Sequence, residues 1–164
     1  MELRLTKVVL VAALAAYALL VAYGNLTDYA SNYAFVSHVL SMDTTFPGNA
    51  LMGRAITDPR LWQAAYAAII AAEALSGLLL ALGAVQLLRT LKAPAPAFER
   101  AKGFVYLGAS LAFLLWFFGF MVVAGEYFAM WQSHDWNGQE SAFRIYMAVL
   151  GVLLLVALPD RDPA

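Results

Sequence analysis

The chain has no cysteine. That removes disulfides, thiolate metal sites and cysteine nucleophiles together. It is also poor in charge, with 13% Asp, Glu, Lys and Arg against the roughly 25% usual in soluble domains. Net charge is −1, so there is no basic surface for nucleic acid. Histidine occurs only at His38 and His134, too far apart to form the close ligand pair of a zinc site, and neither falls in a spanning run where a haem ligand is expected. No Ser–His–Asp spacing, P-loop, dinucleotide fingerprint or HExxH motif occurs. The lack of catalytic pairs weighs against an enzyme without excluding one, and no metal or cofactor is called for.

What remains is apolar. Of 164 residues, 63% are hydrophobic, and the mean hydropathy is +0.71. Crossing a bilayer takes about 20 consecutive apolar residues. Residues 59–89 exceed that, with Glu73 the one acidic or basic side chain between Leu61 and Leu88. Asp58 is placed to cap this helix, and Pro59 falls at its first turn, where proline is tolerated. Three further runs follow the same logic: 3–24, 103–131 and 141–158. The first has Arg4 and Lys7 at its edge, and Ala22-Tyr23-Gly24 loosely resembles a secretory cleavage site. The run is longer than the roughly 7–15 residues of a signal core, so it reads as a retained helix. These spacings predict one all-α domain, an antiparallel four-helix transmembrane bundle.

The connections carry the polar residues. Residues 25–58 form an outer loop in which Tyr29, Tyr33, Val36 and Leu40 recur at helical spacing. An amphipathic helix over 29–40, lying across the bundle as a cap, is expected, with a second short helix around 50–56. Residues 90–102 form a basic connection that Pro94 and Pro96 are expected to keep extended. Ala64, Ala68, Ala72 and Ser76 are spaced by four, which is expected to let helices pack closely within the bundle. Arg54, Arg60, Glu126, Glu140 and Arg144 are expected to pair across the helix ends.

Four spans put both termini on one side. Arg4, Lys7, Arg89, Lys92, Arg100, Lys102 and Arg161 lie on that side, against Arg54, Arg60 and Arg144 on the other. An excess of Lys and Arg marks the cytoplasmic face, so both termini are expected in the cytoplasm.

An intramembrane carboxylate is a functional candidate by default. Counting from the helix ends puts Tyr17, Ser110, Trp116 and Tyr146 at the depth of Glu73, all hydrogen-bond donors and none a cation. Desolvation then favours a neutral Glu73 that ties helices together or relays protons. A second candidate set, His38, Asp43, Phe46, Arg54, Trp131, His134 and Trp136, occupies the two loops of the other side. Polar loops with exposed aromatics suit contact with a partner or ligand.

The stretches NLTDYASNYAFVSHVLSMDTTFPGNALMGRAI and FFGFMVVAGEYFAMWQSHDWNGQESAFR, with AAEAL around Glu73, resemble a bacterial family described as predicted small integral membrane proteins, a domain of unknown function. The resemblance spans nearly the whole chain. It implies a four-helix inner-membrane protein and supplies no catalytic residues. Three functions fit these observations. The first is a non-catalytic accessory or interaction subunit of a larger membrane complex, whose partner is another membrane protein or a second copy. The second is a small carrier or proton-coupled transporter using Glu73. The third is a membrane enzyme that binds lipid or quinone.

Overall fold

A computed structural model describes residues 1–162. Six α-helices follow in order: α1 (Glu2–Thr27), α2 (Tyr29–Ser41), α3 (Pro59–Arg89), α4 (Ala95–Ala101), α5 (Gly103–Phe113) and α6 (Gln139–Ala157). No strand occurs among the described residues. From Leu114 to Tyr127, α5 continues as a π-helix, whose i→i+5 hydrogen bonds widen each turn. Four stretches are long and apolar enough to cross a membrane: Glu2–Thr27, Pro59–Arg89, Ala95–Tyr127 and Gln139–Ala157.

The helices start and stop for local reasons. Asp58 accepts a hydrogen bond from the Arg60 amide at 2.9 Å, capping α3 as its sequence predicts. The 31 residues of α3 rise about 46 Å, well beyond a hydrocarbon core of roughly 30 Å. The expected third span to residue 131 stops earlier. Ala129 adopts the left-handed conformation (φ 52°), and only a single turn, Met130–Gln132, follows it. The connection 90–102 is not extended as its prolines led us to expect. Pro94 and Pro96 instead open α4, because a first helical turn has no use for the amide that proline lacks. The second short helix expected around 50–56 is one turn, Met52–Arg54.

Neighbouring helices are placed by contacts at both ends. Arg4, near the start of α1, donates to the carbonyls of Leu91 and Ala93 beyond the end of α3, at 3.1 and 2.7 Å. At the other end the Tyr66 hydroxyl donates to the Asn25 carbonyl at 2.8 Å. The two helices therefore run in opposite directions. Glycines set their closeness. A Cβ on Gly77 would lie 2.7 Å from Leu19 Cγ, and one on Gly83 would lie 2.9 Å from the Val105 amide nitrogen. The small-residue stripe behaves differently from expectation: Ser76 is buried, but Ala64 and Ala68 are exposed. A step of four residues turns about 40° beyond a full helical turn, so the stripe winds off the buried face.

The end of the bundle that holds the termini is closed by buried charge. Asp160 Oδ2 lies 2.7 Å from both Lys7 Nζ and Lys102 Nζ, and these two lysines and the aspartate are almost fully enclosed. Lys102 also meets Glu99 at 2.8 Å. Both lysines donate to the Leu158 carbonyl, at 2.7 and 3.0 Å. The Arg4 guanidinium lies 4.6 Å from the centroid of the buried Phe98 ring. Burial pushes the Asp160 carboxyl up, but hydrogen bonds from Lys102 and Lys7 outweigh it and hold it below its ordinary value. Nothing in the sequence pattern drew attention to Asp160, which falls in a short polar tail.

At the opposite end α1 breaks at Asp28 and the chain turns into α2. This helix spans the segment in which a 29–40 helix is expected, and it packs on α3, with Val36 clustered against Tyr66 and Ile70. Beyond it, loops 42–58 and 128–138 are joined by Thr44 Oγ1 to Ser133 Oγ (2.8 Å) and by the Phe46 amide to Gln132 Oε1 (3.1 Å).

Candidate functional site

Buried positions on α3 recur at helical spacing: Tyr66, Ile70, Glu73, Gly77, Leu80, Ala84 and Leu87. Glu73 thus points inward with the core stripe, and 2% of it is exposed. Its Oε2 accepts a hydrogen bond from Asn25 Nδ2 at 2.6 Å. Asn25 is also the residue whose carbonyl receives the Tyr66 hydroxyl. One asparagine at the end of α1 therefore ties two inward positions of α3, Tyr66 and Glu73, about two turns apart. One turn further along, the Ser76 hydroxyl donates to the Glu73 carbonyl at 2.9 Å.

A cavity of about 330 Å³ opens beside Glu73. Asn25 and Glu73 form one wall, Asn32 and Phe35 of α2 lie across it, Trp116 and Phe120 bound it from the π-helical segment, and Asn137 and Ser141 complete it. Trp116 and Phe120, four residues apart on this segment, line the same cavity. Leu115, Gly119 and Val123 of the same segment line a neighbouring apolar groove, with Phe128 just beyond its end. π-Helical geometry is rare, and where it occurs as single-turn bulges it is frequently at functional sites.

Of the residues that depth counting grouped with Glu73, Trp116 lines its cavity. Tyr17 lies behind Trp116, ring centroids 6.1 Å apart, and faces a separate groove. Tyr146 packs edge-on against Phe113, Phe117 and Phe143. Ser110 lines another groove with Phe113, Leu114, Leu150 and Leu153. Depth counting aligns the middles of helices, whereas the extra length of α3 lies wholly beyond the end of α1. Glu73 is consequently level with Asn25 and not with the middle of α1. Asn25, Tyr66, Asn32, Asn137 and Ser141 were absent from the sequence-based set. The register that reveals Asn25 follows from matching Arg4 to the end of α3, a pairing that spans 87 residues or more.

The loop residues form several separate contacts. His38 Nδ1 meets Asp43 at 2.9 Å, and its ring stacks on Trp136 with centroids 4.5 Å apart. Phe46 packs edge-on against Trp131 at 5.8 Å, and the two remain 56% and 48% exposed. Arg54 donates to the Tyr127 carbonyl at 3.0 Å and covers the Tyr127 ring. It thus bonds backbone and not the Glu126 carboxylate. Arg144 pairs with Glu140 on its own helix, so the cross-helix pairing expected of these charges does not form. His134 is almost fully exposed, and the Asp135 carboxylate beside it raises its imidazole above the ordinary value. Among the described residues no three His, Asp or Glu side chains converge as metal ligands do.

The family model described as "Predicted small integral membrane protein (DUF2165)" matches residues 3–159. No curated protein and no solved structure matches the chain.

Proposed function

We propose a role from the premise that this chain belongs to the DUF2165 family of predicted small integral membrane proteins. It is a non-catalytic accessory subunit of a larger membrane complex, and the face built by loops 42–58 and 128–138 is where its partner docks. One observation carries this reading: Phe46 and Trp131, about half exposed, are held against each other on two loops that are themselves bonded together. Ordered aromatics at the centre of a surface lose little entropy on binding and make effective anchors. The partner that fits is another integral membrane protein presenting an apolar pocket just outside the bilayer. The charge bias supports an inner-membrane location with both termini cytoplasmic, since seven of the ten Lys and Arg lie at the terminal end or the 90–102 connection.

The test uses a photoreactive amino acid at Phe46, at Trp131 and, as a lipid-facing control, at Leu107. In native membranes both loop positions are expected to give one adduct with the same larger membrane protein, and Leu107 none. Adducts with lipid alone, or with a second copy of the chain alone, overturn the accessory reading. Single cysteines at Lys92 and His134 are expected to label from the cytoplasmic and outer sides of sealed vesicles. Labelling of both from one side defeats the proposed topology.

The cavity beside Glu73 favours a second reading, a proton-coupled carrier. Against it, the far end of the bundle is closed by Lys7, Lys102, Phe98 and Leu87, each without exposed surface. Proteoliposomes in which wild type moves protons and Glu73→Gln does not would favour the carrier.

A further inference from the structure

Two spaces in the molecule share a wall. The Glu73 cavity and an open groove of about 590 Å³ between α1 and α6 are both lined by Ser141 and Ile145. On α1, Tyr17 lines the groove and Val21, one turn on, lines the cavity. The groove therefore runs along the outside of the bundle and arrives at the cavity from the side. Among the described residues no side-chain hydrogen bond ties α1 to α6 beyond the level of Lys7.

The two spaces differ in chemistry. Leu10, Ala13, Leu14, Ala148 and Val152 make the groove apolar over most of its length, and its polar residues, Tyr17, Ser141 and Arg144, lie toward the cavity end. Between Ser141 and Val152 the groove follows on the order of 16 Å of helix. In the cavity, Glu73 Oε2 is occupied by Asn25, but no donor among the described residues reaches Oε1. Asn137 uses its carbonyl oxygen on the Gln139 amide, which leaves its NH₂ free. No Lys or Arg lines the cavity. Arg144 belongs to the groove and is already paired with Glu140.

We propose that groove and cavity together bind a single-chain lipophile that enters sideways from the bilayer, with a hydrogen-bond-donating head, hydroxyl or amine, on Glu73 and its alkyl chain between α1 and α6. The acyl-facing walls match the chain. A hydroxyl or amine head donates to the free Oε1, whereas a phosphate or carboxylate head brings a charge that no Lys or Arg of the desolvated cavity offsets. This site is independent of the loop face: it stands or falls whether or not a protein docks on Phe46 and Trp131.

The experiment uses the full chain in nanodiscs and three diazirine probes of equal chain length: a monoacylglycerol, an alkylamine and an alkyl phosphate. Adducts are mapped by mass spectrometry. The monoacylglycerol and the alkylamine are expected to label residues 10–21 and 141–152 saturably, and the phosphate about tenfold less, a difference of about 1.4 kcal/mol. Ala148→Trp and Ala13→Trp, both at exposed positions, fill the groove from opposite walls and are expected to abolish the saturable labelling. Glu73→Gln, which can keep the Asn25 bond, is expected to lose the amine's labelling and retain the monoacylglycerol's. Equal, unsaturable labelling by all three heads, unchanged by either tryptophan, means ordinary surrounding lipid only and overturns the site.

Discussion

Asp160→Asn is the sharpest test of what holds the terminal end together. The substitution keeps size and a hydrogen-bonding oxygen but removes the charge that faces Lys7 and Lys102, each 2.7 Å away. Lys102 retains Glu99 at 2.8 Å. Lys7 retains only the Leu158 carbonyl, so it is left as a buried cation without a carboxylate. Breaking a buried pair from one side costs about 3–5 kcal/mol. The value here belongs near the lower limit, about 3 kcal/mol, because one of the two lysines keeps a partner. Unfolding by denaturing detergent, monitored by tryptophan fluorescence, reads the loss directly. Glu99→Gln is the control; Glu99 is more than a third exposed, and its removal should cost no more than about 1 kcal/mol. The sign of the pH dependence follows from the direction of the Asp160 shift. Its folded carboxyl titrates below the unfolded value of about 3.9, so its stabilisation is complete above that value and disappears as pH falls through the folded one. Wild-type stability should therefore drop below pH 4, and Asp160→Asn should show a smaller drop. Equal stability of Asp160→Asn and wild type at neutral pH would refute the argument that this carboxylate is what allows the lysines to be buried.

Two further substitutions test the packing and the site. Gly83→Ala places a methyl group 2.9 Å from the Val105 backbone nitrogen, and overpacking of this kind costs about 1–3 kcal/mol. Adding Val105→Ala should rescue it only in part, since the backbone clash remains; full rescue measured in the same unfolding assay would show that α3 and α5 are less closely fixed. At the site, Glu73→Leu strands the Asn25 amide, at a cost of about 1–3 kcal/mol, whereas Glu73→Gln should lie within about 0.5 kcal/mol of wild type. If Asn25→Leu has no effect in wild type, the bond from α1 to α3 contributes nothing.

The sequence displayed some of this and hid the rest for definable reasons. Spans are legible because a run of apolar residues with capped ends has one reading in a membrane. Glu73 is legible because it is alone. Its partner Asn25 reads as the first residue of a polar loop, and only the continuation of α1 to Thr27 makes it a helix-end residue facing α3. The π-helical widening after Phe113 has no compositional signal; the segment is simply rich in aromatics and glycine. Arg4 and Lys7 enter the sequence reading only as flanking charges, and that hides their second use. Both look like ordinary flanking charges, and nothing local shows that each contacts the chain's last described residues. His38 and Asp43 pair, and Phe46 packs on Trp131, because loops 42–58 and 128–138 are hydrogen-bonded to each other.

The closure by Asp160 also has a consequence in time. The Lys7–Asp160 contact joins positions 153 residues apart. At roughly 5–20 residues per second, synthesis leaves Lys7 waiting between about 8 and 30 s for its counter-ion. Through that interval the first helix holds two unpaired cations at its amino end, where their long stems can reach the headgroup layer. Arg4 Nε also lies 3.9 Å from Asp160 Oδ1, so the bundle cannot bury Arg4 and Lys7 with their counter-ion until the ribosome has delivered Asp160. Release of these charges from the lipid surface into the protein is the late step of assembly, and a released chain truncated between α6 and Asp160 would keep its four apolar spans with its amino end still open.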